Sequence, residues 1–293
     1  MAGLKEIRTR IASVKTTRQV TSAMKMVSAA KLKKAQDAIL QIRPYADKLH
    51  QILVSLSASL EDVEDSVYTQ QRNPEKVLIV LITSNRGLCG GFNTNISKKA
   101  IELVNTKYSQ QMQLGKVHFV CIGKQGMRQL KHRGMNVIGD RNHLFDEISF
   151  DNVSKISSEI MKAFSDGDYD RVEIVYNQFK NAAVQVQTTE QFLPVEMKAE
   201  ESETSGNYNF IYEPSKEFII KELIPRSLKI QFYKALLDSN AAEHGARMTA
   251  MHQATDNATE LLSNLTLQYN KARQATITGE ILEIVSGAEA LRG

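Results

Sequence analysis

Two long stretches of heptad spacing, one near each end of the chain, limit what this sequence can become. In the first, Ala35, Ile39, Ile42, Ala46, Leu49, Leu53, Leu56 and Leu60 follow one another in steps of four and three. Leu4, Ile7, Ile11 and Val14 keep that rhythm upstream, and Val20, Met24 and Val27 approximate it after a slip. The second seam runs Leu237, Ala241, His244, Met248, Met251, Thr255, Ala258, Leu262, Leu265, Tyr269, Ala272 and Thr276. Sustained spacing of this kind marks a coiled-coil seam rather than one face of a globular helix. A helix from Leu4 to Leu60 would be roughly 85 Å long, and one from near Ser215 past Val285 roughly 100 Å. Both exceed ordinary domain helices. Such helices pair antiparallel if the intervening chain returns to the same end. Ala, Thr, His and Met in the second seam let backbones approach closely while the hydrophobic drive stays moderate. Pro44 falls inside the first pattern and is expected to kink that helix or cost about 3 kcal/mol.

The middle of the chain has a different texture. Val77–Ile82 is an unbroken apolar run, as expected for a parallel strand covered on both faces. Ile96, Ala100, Leu103 and Val104 then share one helical face, and Val117–Ile122 is a second apolar strand. A short basic helix around Met127 and Leu130 leads to a strand at 136–138. Phe150, Val153, Ile156, Ile160 and Phe164 mark another amphipathic helix, and 171–179 with 183–192 form a terminal strand pair. Alternating strands and helices predict an open, Rossmann-like α/β sheet. The expected organisation is a coiled-coil shaft of 1–60 with 215–293, an α/β domain at 75–195, and a connecting loop and strand at 196–214.

Hydrophobic content of 42% and charged content of 24% are those of a soluble globular chain. No apolar run is long enough to span a bilayer, and the N-terminus does not read as a secretory signal. Cys89 and Cys121, the only cysteines, make neither a metal set nor a disulfide scaffold and read as buried, reduced thiols. The turn 84–92 follows a buried strand and precedes a helix, where a phosphate loop would sit. It lacks the Lys-Ser/Thr pair and the dinucleotide glycine spacing, so Gly87, Gly90 and Gly91 read as enabling a tight turn. The six histidines show no metal-ligand spacing, and the acidic pairs Glu61-Asp62, Glu64-Asp65 and Glu200-Glu201 read as solvated charge. No catalytic, cofactor or metal site is expected.

Charge placement is more informative. Between Lys5 and Lys34 lie nine basic residues against one acid, Glu6. Such a segment suits an acidic partner. A basic-zipper nucleic-acid binder is the alternative, but the basic stretch has apolar heptad positions of its own and no aromatic residues to stack on bases. Nucleic acid is therefore not an expected partner.

Gly3–Gln36 and Asn270–Leu291 closely resemble the two terminal helices of ATP synthase gamma subunits. Ser84–Asn93 is similar to that family's strand-to-helix turn, and Ala246–Asn257 matches a further signature. The resemblance covers essentially the whole chain in one order. The chain begins where bacterial members begin, and it lacks a cysteine pair at 198–212 of the kind found in redox-regulated chloroplast members. The resemblance implies a non-catalytic rotor shaft. Its paired helices would turn inside a ring of alpha and beta subunits, with its foot on the membrane rotor ring of c subunits beside epsilon. It would lie peripherally on the cytoplasmic face of the bacterial membrane, coupling proton-driven rotation to ATP chemistry. By the same carry-over, Met24 and Lys25 face an acidic loop of beta, with Lys31, Lys33 and Lys34 as additional contacts. Arg247, Gln274, Thr278 and Glu280 match positions linked to coupling, and Ile281, Leu282, Ile284 and Val285 would run in an upper bearing. The residue-level alternatives are a coil seam for Met24 and solvated helix surface for Gln274 and Thr278.

Overall fold

The structure, a computed structural model, describes residues 2–57, 67–195 and 216–291. Leu60, the three acidic pairs and the expected loop and strand at 196–214 lie outside the described residues. Two very long helices, α1 (Ala2–Ser57) and α6 (Lys216–Ala290), flank an α/β middle. The chain divides into two compact units, Met1–Ser28 with Met248–Gly293, and Ala29–Arg247.

The larger unit is built on a five-stranded sheet in the order β3-β2-β1-β4-β5. Its strands are β1 (Val77–Ile82), β2 (Val117–Ile122), β3 (Val137–Asp140), β4 (Arg171–Phe179) and β5 (Gln185–Leu193). β1 pairs in parallel with β2 and β4, β3 is parallel to β2, and β5 returns antiparallel at the edge. Between them come α2 (Phe92–Lys107), α3 (Ser109–Gln113), α4 (Lys124–His132) and α5 (Phe150–Ser165), with a 3₁₀ turn at Asn142–Phe145.

The unbroken apolar run of β1 has a physical reason. Successive side chains point to opposite faces, and both faces are covered. Leu78, Val80 and Ile82 pack in one core with Val153, Ile156, Ile160 and Phe164 of α5. Val77, Ile79 and Leu81 pack in the other with Ile96, Ala100 and Val104 of α2. α5 starts at Ser149, whose side chain accepts from the Asn152 amide at 3.3 Å and satisfies one free helical donor. The lower part of α6 joins the first core through Ile224, Leu228, Phe232, Ala235 and Leu236. Full burial of such a side chain contributes about 1.5–3 kcal/mol.

Both long helices carry an interior proline, Pro44 in α1 and Pro225 in α6, and helical hydrogen bonding continues across each. A proline frees the carbonyl four residues earlier. Those carbonyls belong to Leu40 and Lys221, both exposed, so water can satisfy them.

In the smaller unit the two helices run antiparallel: Thr21 hydrogen-bonds Thr255 at 2.8 Å, and Lys25 Nζ lies 3.2 Å from His252 Nδ1. Every expected α6 seam position from Met248 to Thr276 is buried or half-buried. The α1 seam differs from the sequence expectation. Val20 and Val27 are 52% and 57% exposed, whereas Thr21 and Ser28 are buried and Arg18 and Lys25 half-buried. Positions 4, 7, 11, 14, 18, 21, 25 and 28 thus form one unbroken heptad. There is no slip; the middle of the seam is polar. Thr21 satisfies itself on Thr255, and the Ser28 hydroxyl donates to the Met24 carbonyl at 2.7 Å. Buried hydroxyls are tolerated when they are paired in this way.

Candidate functional site

A polar seam in α1 leaves its apolar residues facing outward. Val20, Met26 and Val27 are 52%, 65% and 57% exposed, interspersed with the basic surface of the first helix. Met24 and Lys25 are half-buried at the margin between seam and surface. Lys25 is held beside His252, whose Nδ1 also lies 3.4 Å from Asp256 Oδ2. In the same unit Gln274 is exposed and lines a shallow groove of about 530 Å³ with Arg18, Leu262, Leu267 and Asn270. Thr278 and Glu280 are exposed. The α6 seam runs through Thr276 to the half-buried Gly279, and the helix continues to Ala290 with every residue from Glu280 to Leu291 exposed. Ile281, Leu282, Ile284 and Val285 are 55%, 60%, 71% and 53% exposed. Water-facing aliphatic side chains at this density form a surface that favours a partner.

Lys31, Lys33, Lys34 and Arg247 belong to the larger unit. The three lysines are exposed, and Lys33 makes an i,i+4 pair with Asp37 at 2.8 Å. That pair is solvated on both sides and contributes about 0.3–0.5 kcal/mol.

Arg247 is different: it is 7% exposed and turned inward. One guanidinium nitrogen meets Glu243 Oε1 at 2.6 Å, and the other donates to the carbonyls of Arg86 at 3.1 Å and Gly87 at 3.4 Å. It thus fastens α6 to the turn between β1 and α2. That turn is also braced from within. The Ser84 amide donates to Asn93 Oδ1 at 2.9 Å, and Asn93 Nδ2 donates to Ser84 Oγ at 2.8 Å. Leu88 sits at φ 62°, a conformation unfavourable for a branched side chain, and is 67% exposed. Gly90, at φ 58°, supplies the second left-handed residue without a steric penalty. The chemistry around Arg247 follows from burial. Desolvation raises the Glu243 carboxyl, opposed by the Arg247 charge. His244 is pushed down to about 4 by desolvation and then by the charges of Arg247 and Lys31, which keeps it neutral near pH 7. Burial also raises the Cys89 thiol, leaving it protonated and a poor nucleophile.

Two contributors escaped the sequence reading. Glu243 stands four residues before Arg247, and that spacing is a visible ion-pair signal on a helix. Arg43, on α1, pairs with the buried Asp238 of α6 at 3.0 Å, a contact that no local pattern announces. Among the described residues no group of three or more His, Cys, Asp or Glu side chains is placed to hold a metal ion. Likewise no described helix is long and apolar enough to cross a membrane.

A family profile described as ATP synthase matches residues 3–291. The chain is 57% identical to the ATP synthase gamma chain of Flavobacterium johnsoniae over 294 residues, covering 100% of each. It is 55% identical to that of Cytophaga hutchinsonii over 293 residues, covering 99% of each. Among solved structures, a chain of the Euglena gracilis mitochondrial ATP synthase OSCP/F1/c-ring assembly, in rotational state 3, shares the fold. Its TM-score is 0.68 at 19% identity, covering 99% of this chain and 95% of that one. A chain of the Tetrahymena thermophila mitochondrial ATP synthase central stalk and c-ring matches with a TM-score of 0.57 at 24% identity, covering 80% of this chain and 99% of that one.

Proposed function

Because the chain belongs to the ATP synthase gamma chain family, we propose that it is the central rotor shaft of an F-type ATP synthase and catalyses nothing itself. The shaft comprises 1–60 and 215–293, the α/β domain 75–195, and the segment 196–214 connects them. One observation carries the reading: α6 continues as bare helix beyond its seam, with exposed Ile281, Leu282, Ile284 and Val285. A helix end of this kind needs an enclosing apolar surface, which a ring of alpha and beta subunits supplies as a bearing. Nucleotide and magnesium bind that ring, not this chain. The α/β domain rests on the c-subunit ring beside epsilon, at the cytoplasmic face of the bacterial membrane.

The mechanism is differential contact. A shaft whose faces differ presses a different surface on each beta subunit, so the catalytic sites differ in affinity at any one angle. A uniform shaft would bias all of them equally and couple nothing. Here the faces do differ: exposed valines and methionine with lysines on α1, and Gln274, Thr278 and Glu280 on α6. Met24, Lys25, Lys31, Lys33 and Lys34 meet an acidic loop of beta, while Arg247 acts through the turn it holds. Rotation driven by protons through the c ring is thereby converted into ordered changes of nucleotide affinity.

The test is reconstitution. Alpha and beta subunits assembled with this chain should hydrolyse ATP and, on the membrane sector, pump protons, whereas the chain alone should hydrolyse none. Equal coupled pumping without the chain would remove the proposal.

A further inference from the structure

We propose that Arg43 is a positioning residue that clamps α1 and α6 to the sheet, so that load on the α/β domain is passed to both helices; this rests on the rotor reading. Arg43 Nη2 lies 3.0 Å from Asp238 Oδ1 on α6 and donates at 3.4 Å to the Phe179 carbonyl at the end of β4. One nitrogen therefore joins two helices and a strand. The Asp238 side chain is fully buried and that of Arg43 is 38% exposed, so the cation enters from the rim to meet a desolvated acid. Asp238 Oδ2 has no hydrogen-bond partner among the described residues. The hold on this carboxylate is thus concentrated on the Arg43 contact, with the Lys234 charge adding a lesser attraction.

The surroundings explain why one polar contact matters there. Around it α6 packs on the sheet through Leu228, Phe232, Ala235 and Leu236, all apolar. At Gly245 a Cβ would stand 3.2 Å from Ala182 Cα, 3.3 Å from its carbonyl oxygen and 3.5 Å from the Phe179 ring, so the α6 backbone lies close against the β4–β5 turn. Apolar contacts of this sort resist separation, but they are non-directional and allow packed helices to shear by small steps. A charged hydrogen bond weakens steeply once its geometry is lost, so it opposes sliding. Nearby, Tyr176 of β4 donates to Glu190 of β5 at 2.5 Å, and Gln231 of α6 reaches the same carboxylate at 3.4 Å. These bonds tie α6 to the two strands, but neither engages α1. Arg43 does.

The experiment uses assembled enzyme in sealed vesicles and compares wild type, Arg43→Ala, Arg43→Gln and Arg43→Lys. ATP hydrolysis is measured with an uncoupler present, so that the rotor turns unloaded, and the steady proton gradient is measured without it. A clamp predicts unloaded hydrolysis within about twofold of wild type for every variant. It also predicts a clearly smaller final gradient for Ala and Gln, with Lys restoring it, since an ammonium can still bridge Asp238 and Phe179. Arg43→Gln serves the same comparison if Ala fails to assemble. A wild-type gradient in the Ala or Gln enzyme overturns the clamp, and so does a loss of unloaded hydrolysis in parallel with the gradient, which marks a merely structural role. Wild-type chain that restores no pumping removes the rotor reading itself, and the clamp with it.

Discussion

Replacing Arg247 with Ala removes the side chain that hydrogen-bonds α6 to the β1–α2 turn, where Ala242 and Ala246 of α6 already pack with Cys89 and Phe92. Four contacts are lost together: Glu243 at 2.6 Å, His244 Nδ1 at 3.4 Å, and the Arg86 and Gly87 carbonyls at 3.1 and 3.4 Å. What remains is a carboxylate 9% exposed with its partner gone. Breaking a buried pair in this way costs about 3–5 kcal/mol, more than the loss of a single charged hydrogen bond, at roughly 1.5–3 kcal/mol. Glu243 offsets part of this by taking up a proton, because burial already raises its carboxyl. Arg247→Ala should therefore destabilise the chain by about 3 kcal/mol. Glu243→Gln should cost only about 1–2 kcal/mol, since Arg247 keeps both carbonyls and an amide oxygen. The double variant should recover at least about 1 kcal/mol against additivity, because no unpaired charge is left behind. Urea unfolding of the four proteins measures this cycle, and hydrogen exchange in the assembled complex should show faster exchange at residues 84–92 in Arg247→Ala. Strict additivity, or a loss below about 1 kcal/mol for Arg247→Ala, would refute the buried-latch account.

Three further expectations follow from particular side chains. His244, held near 4 against an ordinary 6.5, gains its proton more easily when unfolded, so stability should fall as pH drops from about 6.5 to 4. The loss reaches at most about 3 kcal/mol, partly offset by Glu243, whose raised carboxyl acts in the opposite sense. Denaturant titrations of His244→Gln should be flatter across that window, and an unchanged slope would contradict the assignment. Gly123→Ala should cost more than about 3 kcal/mol, because φ is 115° and the new Cβ would lie 2.3 Å from the Thr83 carbonyl. Normal thermal stability in that variant would contradict it. Met24→Lys should impair protons pumped per ATP more than assembly. A new pair specific to one rotor angle traps that state, slowing the step about tenfold for each ~1.4 kcal/mol, whereas a solvated pair of about 0.2–1 kcal/mol does little. Wild-type coupling in fully assembled Met24→Lys enzyme would sink the contact.

Much of this architecture is legible in the residues because burial imposes a period. α5 announces itself through Val153, Ile156, Ile160 and Phe164, and β1 through a run with no polar break, since both its faces are covered. The α6 seam reads correctly to Thr276 because most of its members are apolar or small. The α1 seam misleads between Val14 and Leu32 because apolar character is a proxy for burial, and here hydroxyls occupy the interior. Thr21 and Ser28 are buried while Val20 and Val27 face outward. The outward valines are themselves informative, since they leave apolar surface for another molecule. Pro225 inside α6 is likewise tolerated where Lys221, the residue whose carbonyl it frees, is exposed, which no pattern states. Resemblance brought Arg247 forward but not its partners. The Arg43–Asp238 contact joins residues 195 apart in the chain, and only the packed structure brings them together.

Rotation of this chain inside the assembled ring is the most direct test of the rotor account. Both natural cysteines, Cys89 and Cys121, are buried, so a single cysteine placed at exposed Asn105 on α2 can carry a probe selectively. With the alpha–beta ring fixed to a surface and ATP supplied, the account predicts unidirectional turning of the probe with three pauses per revolution, set by the three beta subunits. A probe that stays fixed relative to the ring while the complex hydrolyses ATP would contradict it.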